Sequence, residues 1–163
     1  MTRPSGKPLP SVPPGPGDDE QASRHLERWN EANGLDGDVG SMLEGPTAGE
    51  ATPGLDSEAL LKALFGNSPF LTELAFAEPD VITSFLQRGP DRTFEAIIAA
   101  QVSDRRRPVL MAHLRKLKRR AALLTALADI SGVWSLGEVT AALTRLADLA
   151  AGAALDLALR ELA

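Results

Sequence analysis

The run PVLMAHLRKLKRRAALLTALADISGVWSLGEVTAALTRLADLA, residues 108–150, decides the fold. Within it Leu110, Leu114, Leu117, Ala121, Leu124 and Ala128 recur at spacings of 4, 3, 4, 3 and 4, the period that lays one apolar seam along an α-helix. Pro108 suits the first helical turn, where its missing N–H costs no hydrogen bond. Gly132 supplies the stop, because glycine adopts the left-handed backbone of a helix C-terminus without strain. Ser135 and Glu138 then form a capping box, with Trp134 and Val139 at the N′ and N4 positions of a hydrophobic staple. A second helix follows, with Leu136, Val139, Leu143, Leu146 and Ala150 at spacings of 3, 4, 3 and 4. The seam of the first helix needs a partner.

Outward from this pair the pattern stays helical. On the C-terminal side Leu155, Leu159 and Leu162 predict a further helix beginning near Gly152. On the N-terminal side Leu60, Leu61, Leu64 and Phe65 run at helical spacing up to Gly66. Ser68 and Pro69 then supply an N-cap and a first helical residue ahead of Phe70, Leu71 and Leu74. Pro79 punctuates that helix. A third short helix carries Val81, Ile82, Phe85 and Leu86 to Gly89-Pro90, where a fourth starts and buries Phe94, Ile97, Ile98 and Val102. The expected fold is therefore all-α, a cluster of short helices followed by longer packed helices over residues 55–163. Residues 1–20 hold six prolines and three glycines, too little apolar surface to offset chain ordering, and are expected to be a disordered tail. Residues 21–54 read as a short helix around Leu26 and Trp29 followed by a flexible acidic linker.

Composition agrees with helices. The chain is 44% hydrophobic but only 4% aromatic, with no tyrosine, and its apolar residues are mainly Leu and Ala. No cysteine is present, which excludes a disulfide framework, a thiolate zinc site and a cysteine nucleophile. No apolar run reaches the ~18 residues of a membrane span, and the first residues offer Pro and Gly where a secretory signal needs apolar ones, so a cytoplasmic protein with no membrane contact is expected. The net charge of −5 hides an asymmetry: residues 1–80 carry 14 acidic and 5 basic side chains, residues 81–163 carry 8 and 12.

Candidate sites are few. Arg105, Arg106, Arg107, Arg115, Lys116, Lys118, Arg119 and Arg120 make the strongest charge feature. Arg115, Lys118 and Arg119 share a helix face by i, i+3, i+4 spacing, away from the Leu110–Leu124 seam, and are the candidate partner-binding residues. A solvated face is the ordinary use of such a run, an acidic protein partner the next, and nucleic acid the least fitting, since no aromatic side chain lies there for base stacking. Asp36-Gly37-Asp38 departs from a calcium loop and reads as a solvated turn. His25 and His113 have no further ligand at metal spacing and read as surface or boundary residues. Neither Ser103-Asp104 nor Ser135 sits in a nucleophile elbow, and no phosphate-cradling glycine loop occurs. Ser68, Pro69, Gly132, Trp134, Ser135 and Glu138 are assigned structural roles. Trp134 as a ligand platform is weighed against its place in the staple, which explains it more simply. The chain is expected to hold no catalytic, metal-binding or nucleotide-binding residue and no cofactor of its own.

Two stretches resemble a known family. Gly66-Asn67-Ser68-Pro69-Phe70-Leu71-Thr72-Glu73-Leu74, followed by Pro79 and Asp80, and the order LRKLKRRAALLTALADISGVWSLGEVTAALTRLADLAAGAALDLALREL from residue 114 to 162, are similar to the bifunctional glutamine-synthetase adenylyltransferase and adenylyl-removing enzyme of nitrogen regulation. The likeness spans about residues 58–163. It implies a helical segment preceding the family's first nucleotidyltransferase domain. It also implies an intact enzyme that moves AMP onto and off a tyrosine of glutamine synthetase, using magnesium and ATP, under control of the PII signalling protein. The family's catalytic element, of the form G-K-L-G-x-x-E-L-x-x-x-S-D-I/L-D, does not occur here, so the 163 residues alone are expected to be inactive, with catalytic domains C-terminal to them as partners. Two other readings stay open at this point: a stand-alone helical interaction module, and a regulator whose basic helix meets nucleic acid.

Overall fold

A computed structural model describes residues 12–35, 54–100 and 106–162. The described residues hold six α-helices and no strand: α1 (Asp19–Ala32), α2 (Ser57–Asn67), α3 (Pro69–Ala77), α4 (Pro79–Ala99), α5 (Arg107–Ile130) and α6 (Leu136–Leu162). Local chemistry sets most of their ends. Asp18 and Asp56 accept hydrogen bonds from the backbone N–H of Gln21 at 2.8 Å and Ala59 at 2.9 Å, capping α1 and α2. Ser68 Oγ accepts from Leu71 N at 3.2 Å, with Pro69 as the first residue of α3. Gly34 and Gly132 close α1 and α5 with left-handed backbone, at φ 68° and 67°.

Helix α5 is the hub, packing against α2, α3, α4 and α6. Its seam residues Leu117, Ala121, Leu124 and Ala128 are buried, together with Leu123 and Leu127, among Leu60, Leu61, Leu64, Val81, Ile82, Phe85 and Leu86. The third and fourth short helices of the sequence reading form one element, α4, kinked at Gly89. There φ 77° and ψ 171° suit glycine, and Pro90 cannot donate to the preceding turn. Thr93 Oγ1 donates to the Gly89 carbonyl at 2.8 Å and lies 3.1 Å from Ser84 Oγ, tying the two halves across the bend. Val102 lies outside the described residues.

Three expectations need correction. The folded unit does not begin at residue 55: α1 buries Ala22, Leu26 and Trp29 in the same core, and Trp29 Nε1 donates to the Ala75 carbonyl at 3.1 Å. That carbonyl belongs to the last turn of α3, where no helical partner exists. Order also reaches further into the Pro/Gly-rich segment than residue 20. Gly17 N donates to Asn67 Oδ1 at 2.9 Å and Asn67 Nδ2 donates to the Gly15 carbonyl at 3.1 Å. A Cβ on Gly66 would stand 2.4 Å from Pro16 Cβ, so only glycine lets this segment lie on the end of α2.

The third correction is that no new helix starts near Gly152. Helix α6 runs unbroken from Leu136 to Leu162, because one glycine flanked by Ala and Leu costs only about 1 kcal/mol relative to Ala. Nothing lies within 4 Å of where a Gly152 Cβ would be. Gly152→Ala is therefore expected to stabilise the protein by about 0.5–1 kcal/mol, read as a higher midpoint in a denaturant melt. A lower midpoint would contradict the unbroken helix.

Candidate functional site

The basic run of α5 separates into two environments once the helices pack. Arg119 Nη2 lies 3.1 Å from Glu78 Oε1, Arg120 Nη1 lies 3.3 Å from Glu78 Oε2, and Arg120 Nη2 lies 2.5 Å from Asp80 Oδ2. Glu78 is buried at the junction of α3 and α4, with 5% of its side chain exposed. The basic helix is thus fastened to the α3–α4 corner through a carboxylate held by two guanidinium groups, the arrangement a buried charge requires. Arg107 pairs with Glu161 near the end of α6, and Arg106 also takes part in an interaction.

Arg115 and Lys118 turn the other way, onto the side that faces α6. They line a groove of about 350 Å³ whose other walls are Met111, Leu114, Leu143, Leu146, Ala147 and Ala150. The face expected to carry Arg115, Lys118 and Arg119 thus meets two different surroundings. Arg119 meets Glu78, while Arg115 and Lys118 border a groove that includes the seam residue Leu114. Both are exposed, and neither pairs with a carboxylate among the described residues.

The groove exists because α6 turns little of its apolar surface inward. Ala142 and Leu157 are its buried residues, whereas Leu143 remains 45% exposed, and Leu136, Leu155, Leu159 and Leu162 are exposed as well. Ala142, Val139, Leu146 and Leu149 seat it on the core, and two ion pairs flank the contact. Arg145 meets Glu95 of α4 at 2.5 Å and stacks over the Phe94 ring at 5.5 Å, and Arg107 holds Glu161. The hydrogen bonds from these arginines hold the Glu95 and Glu161 carboxyls below the ordinary carboxylate range. Both pairs are solvated and add little to stability.

At the α5–α6 corner Ser135 Oγ accepts from Glu138 N at 3.3 Å, and Glu138 Oε2 accepts from Ser135 N at 2.7 Å. Trp134 is 5% exposed, edge-on to Phe94, and its Nε1 donates to Asp91 Oδ1 at 2.8 Å. His25 is half-buried beside the rings of Phe65 and Phe76, and His113 is half-buried on α5. Asp36-Gly37-Asp38 and Ser103-Asp104 lie outside the described residues.

Among the described residues no group of three or more His, Asp or Glu could hold a metal ion, and Glu78 and Asp80 are engaged by arginines. What the arrangement can do chemically is bury apolar side chains between two helices beside two unpaired cations. Sequence reasoning missed Glu78, Asp91 and the groove. An acidic residue before Pro79 reads as a helix-start charge until the fold brings α5 against it.

A model of the glutamate-ammonia ligase adenylyltransferase family matches residues 58–163. The bifunctional glutamine synthetase adenylyltransferase/adenylyl-removing enzyme of Caulobacter vibrioides is 39% identical over 118 residues, covering 70% of this chain and 12% of that protein. The enzyme of the same name from Bradyrhizobium diazoefficiens is 40% identical over 117 residues, covering 64% and 12%. That of a Rhodopseudomonas palustris strain is 34% identical over 132 residues, covering 78% and 13%. The last match covers more of the chain than residues 58–163 contain, so the likeness extends into the segment before α2. The chain spans about an eighth of the length of these relatives. No solved structure matches it.

Proposed function

Because the chain belongs to the glutamate-ammonia ligase adenylyltransferase family, we propose that it acts as the helical, non-catalytic N-terminal part of an enzyme that attaches AMP to glutamine synthetase and removes it. The observation that carries this reading is the family match over residues 58–163, which runs from the first turn of α2 to the end of the chain. The match therefore covers a packed set of helices and no isolated motif. In this reading ATP and magnesium are held by catalytic domains outside these 163 residues, and the enzyme works in the cytoplasm under the PII protein. The α5–α6 groove, with Arg115 and Lys118, is the surface offered to a protein partner. A nucleic-acid role fits less well, since Arg107, Arg119 and Arg120 are already matched to carboxylates and phosphate binding draws on free cations.

A chimera tests the reading. With residues 58–163 replacing the matched stretch of the Caulobacter vibrioides enzyme, AMP transfer to glutamine synthetase and its phosphorolytic removal are expected to persist. The 163-residue chain alone, given glutamine synthetase, ATP and magnesium, is expected to incorporate no AMP. A folded chimera without either activity, or turnover by the isolated chain, would refute the proposal.

A further inference from the structure

Helices α5 and α6 lie antiparallel, since Arg107 at the start of one pairs with Glu161 at the end of the other. Two antiparallel helices leave a trough between their outer ridges, and a third helix is the element whose side chains fill such a trough. Here the trough is lined by Met111, Leu114, Leu143, Leu146, Ala147 and Ala150, with polar character only from Arg115 and Lys118. Most other cations of α5 and α6 are matched to a carboxylate: Arg107 to Glu161, Arg119 and Arg120 to Glu78, Arg145 to Glu95 and Arg160 to Asp156. Arg115 and Lys118, like the exposed Lys116, pair with no carboxylate among the described residues, and of these three it is Arg115 and Lys118 that line the trough.

We propose that the α5–α6 groove docks an acidic amphipathic helix of a protein partner, whose apolar face lies on Leu114, Leu143 and Leu146 and whose carboxylates meet Arg115 and Lys118. This rests on the reading of the groove as a contact surface and adds the chemistry of what it contacts. An apolar floor gives the contact its area, as in other helix-in-groove complexes read at i, i+3, i+4 and i+7. The two cations give it orientation and choice of partner, because reversing either charge places like charges together across the interface. A phosphate backbone would leave the leucine floor uncovered, and no aromatic side chain lines the groove to stack a base.

The test uses the 163-residue chain and a synthetic fluorescein-labelled peptide with Leu at positions i, i+3, i+4 and i+7 of a helix and Glu on both flanks. Anisotropy titration is expected to show saturable binding in the micromolar range. Arg115→Glu with Lys118→Glu is expected to weaken it about tenfold or more, since both side chains are exposed and the substitutions remove no internal pair. A peptide with Lys in place of Glu should regain affinity for that doubly substituted chain, which a merely misfolded protein would not show. Leu143→Asp should weaken the Glu peptide as well. Equal binding by the charge-reversed chain, no binding at concentrations on the order of 100 μM, or self-association of the chain through this groove would overturn the proposal. AMP transfer by the chimera is measured separately, so peptide binding and the family function can fail independently.

Discussion

Trp29→Ala is expected to lower the unfolding free energy by about 3–5 kcal/mol, a large fraction of the roughly 5–15 kcal/mol that holds a typical domain folded. The indole is fully buried, with Leu26 and Ala22 of α1 beside it in the core shared with α2 and α5. Truncation leaves a cavity at this junction. It also strips the Ala75 carbonyl of its donor, and that carbonyl sits in the last turn of α3 where the helix supplies no replacement. Trp29→Phe separates the two effects: it keeps most of the apolar contact and should cost about 1–2 kcal/mol for the lost hydrogen bond. Guanidinium melts followed by far-ultraviolet circular dichroism check both. A change under about 0.5 kcal/mol for Trp29→Ala, the size usual for surface substitutions, would mean that α1 stands apart from the core.

That result also measures where sequence reasoning stopped. The ends of α3 and α5 were legible because local chemistry makes them: Ser68 and Pro69 start one, and Gly132 at φ 67° ends the other. The seam of α5 was legible because periodicity marks its buried face. Membership of α1 was not. Its sequence DEQASRHLERWNEA is mostly polar, and 24 residues separate Ala32 from Ser57. The Trp29–Ala75 bond, the Phe65 and Phe76 rings beside His25, the Gly17–Asn67 bond and the seat of Pro16 on Gly66 disclose that the chain returns to pack there.

Helix α6 fails differently. Its 3-4-3-4 leucine pattern is genuine helical periodicity, but periodicity states which residues share a face and not how much of that face a neighbour covers. As α6 packs through Ala142, Leu146 and Leu149 on the core, Leu143 is left 45% exposed. The same long-range geometry divides the basic run, sending Arg119 to Glu78 and Arg115 and Lys118 to the groove. Helical spacing placed these three on one face, and the packing of two flanking helices gave that face two uses.

Trp134→Ala is expected to cost on the order of 3–4 kcal/mol. Trp134 lies at the turn that reverses the chain between α5 and α6, and its ring is edge-on to Phe94 of α4 at a centroid distance of 6.0 Å. Its Nε1 bond to Asp91 Oδ1 ties the turn to the same helix. Loss of the ring therefore loosens the α4 contact and the hairpin together. Ser135→Ala, by comparison, should cost about 1 kcal/mol, within the ~0.5–2 range for a lost N-cap, because solvent can reach the amide of Glu138 that loses its acceptor. The ranking of the two substitutions carries the information. A structural corner requires Trp134→Ala to be clearly the worse, with Trp134→Phe between them, since phenylalanine keeps an aromatic contact with Phe94 and forfeits the bond to Asp91. If chemical melts place Ser135→Ala above Trp134→Ala in cost, the cap alone fixes the turn. The indole would then be free for a role outside the fold, the ligand platform that its burial at 5% exposure argues against.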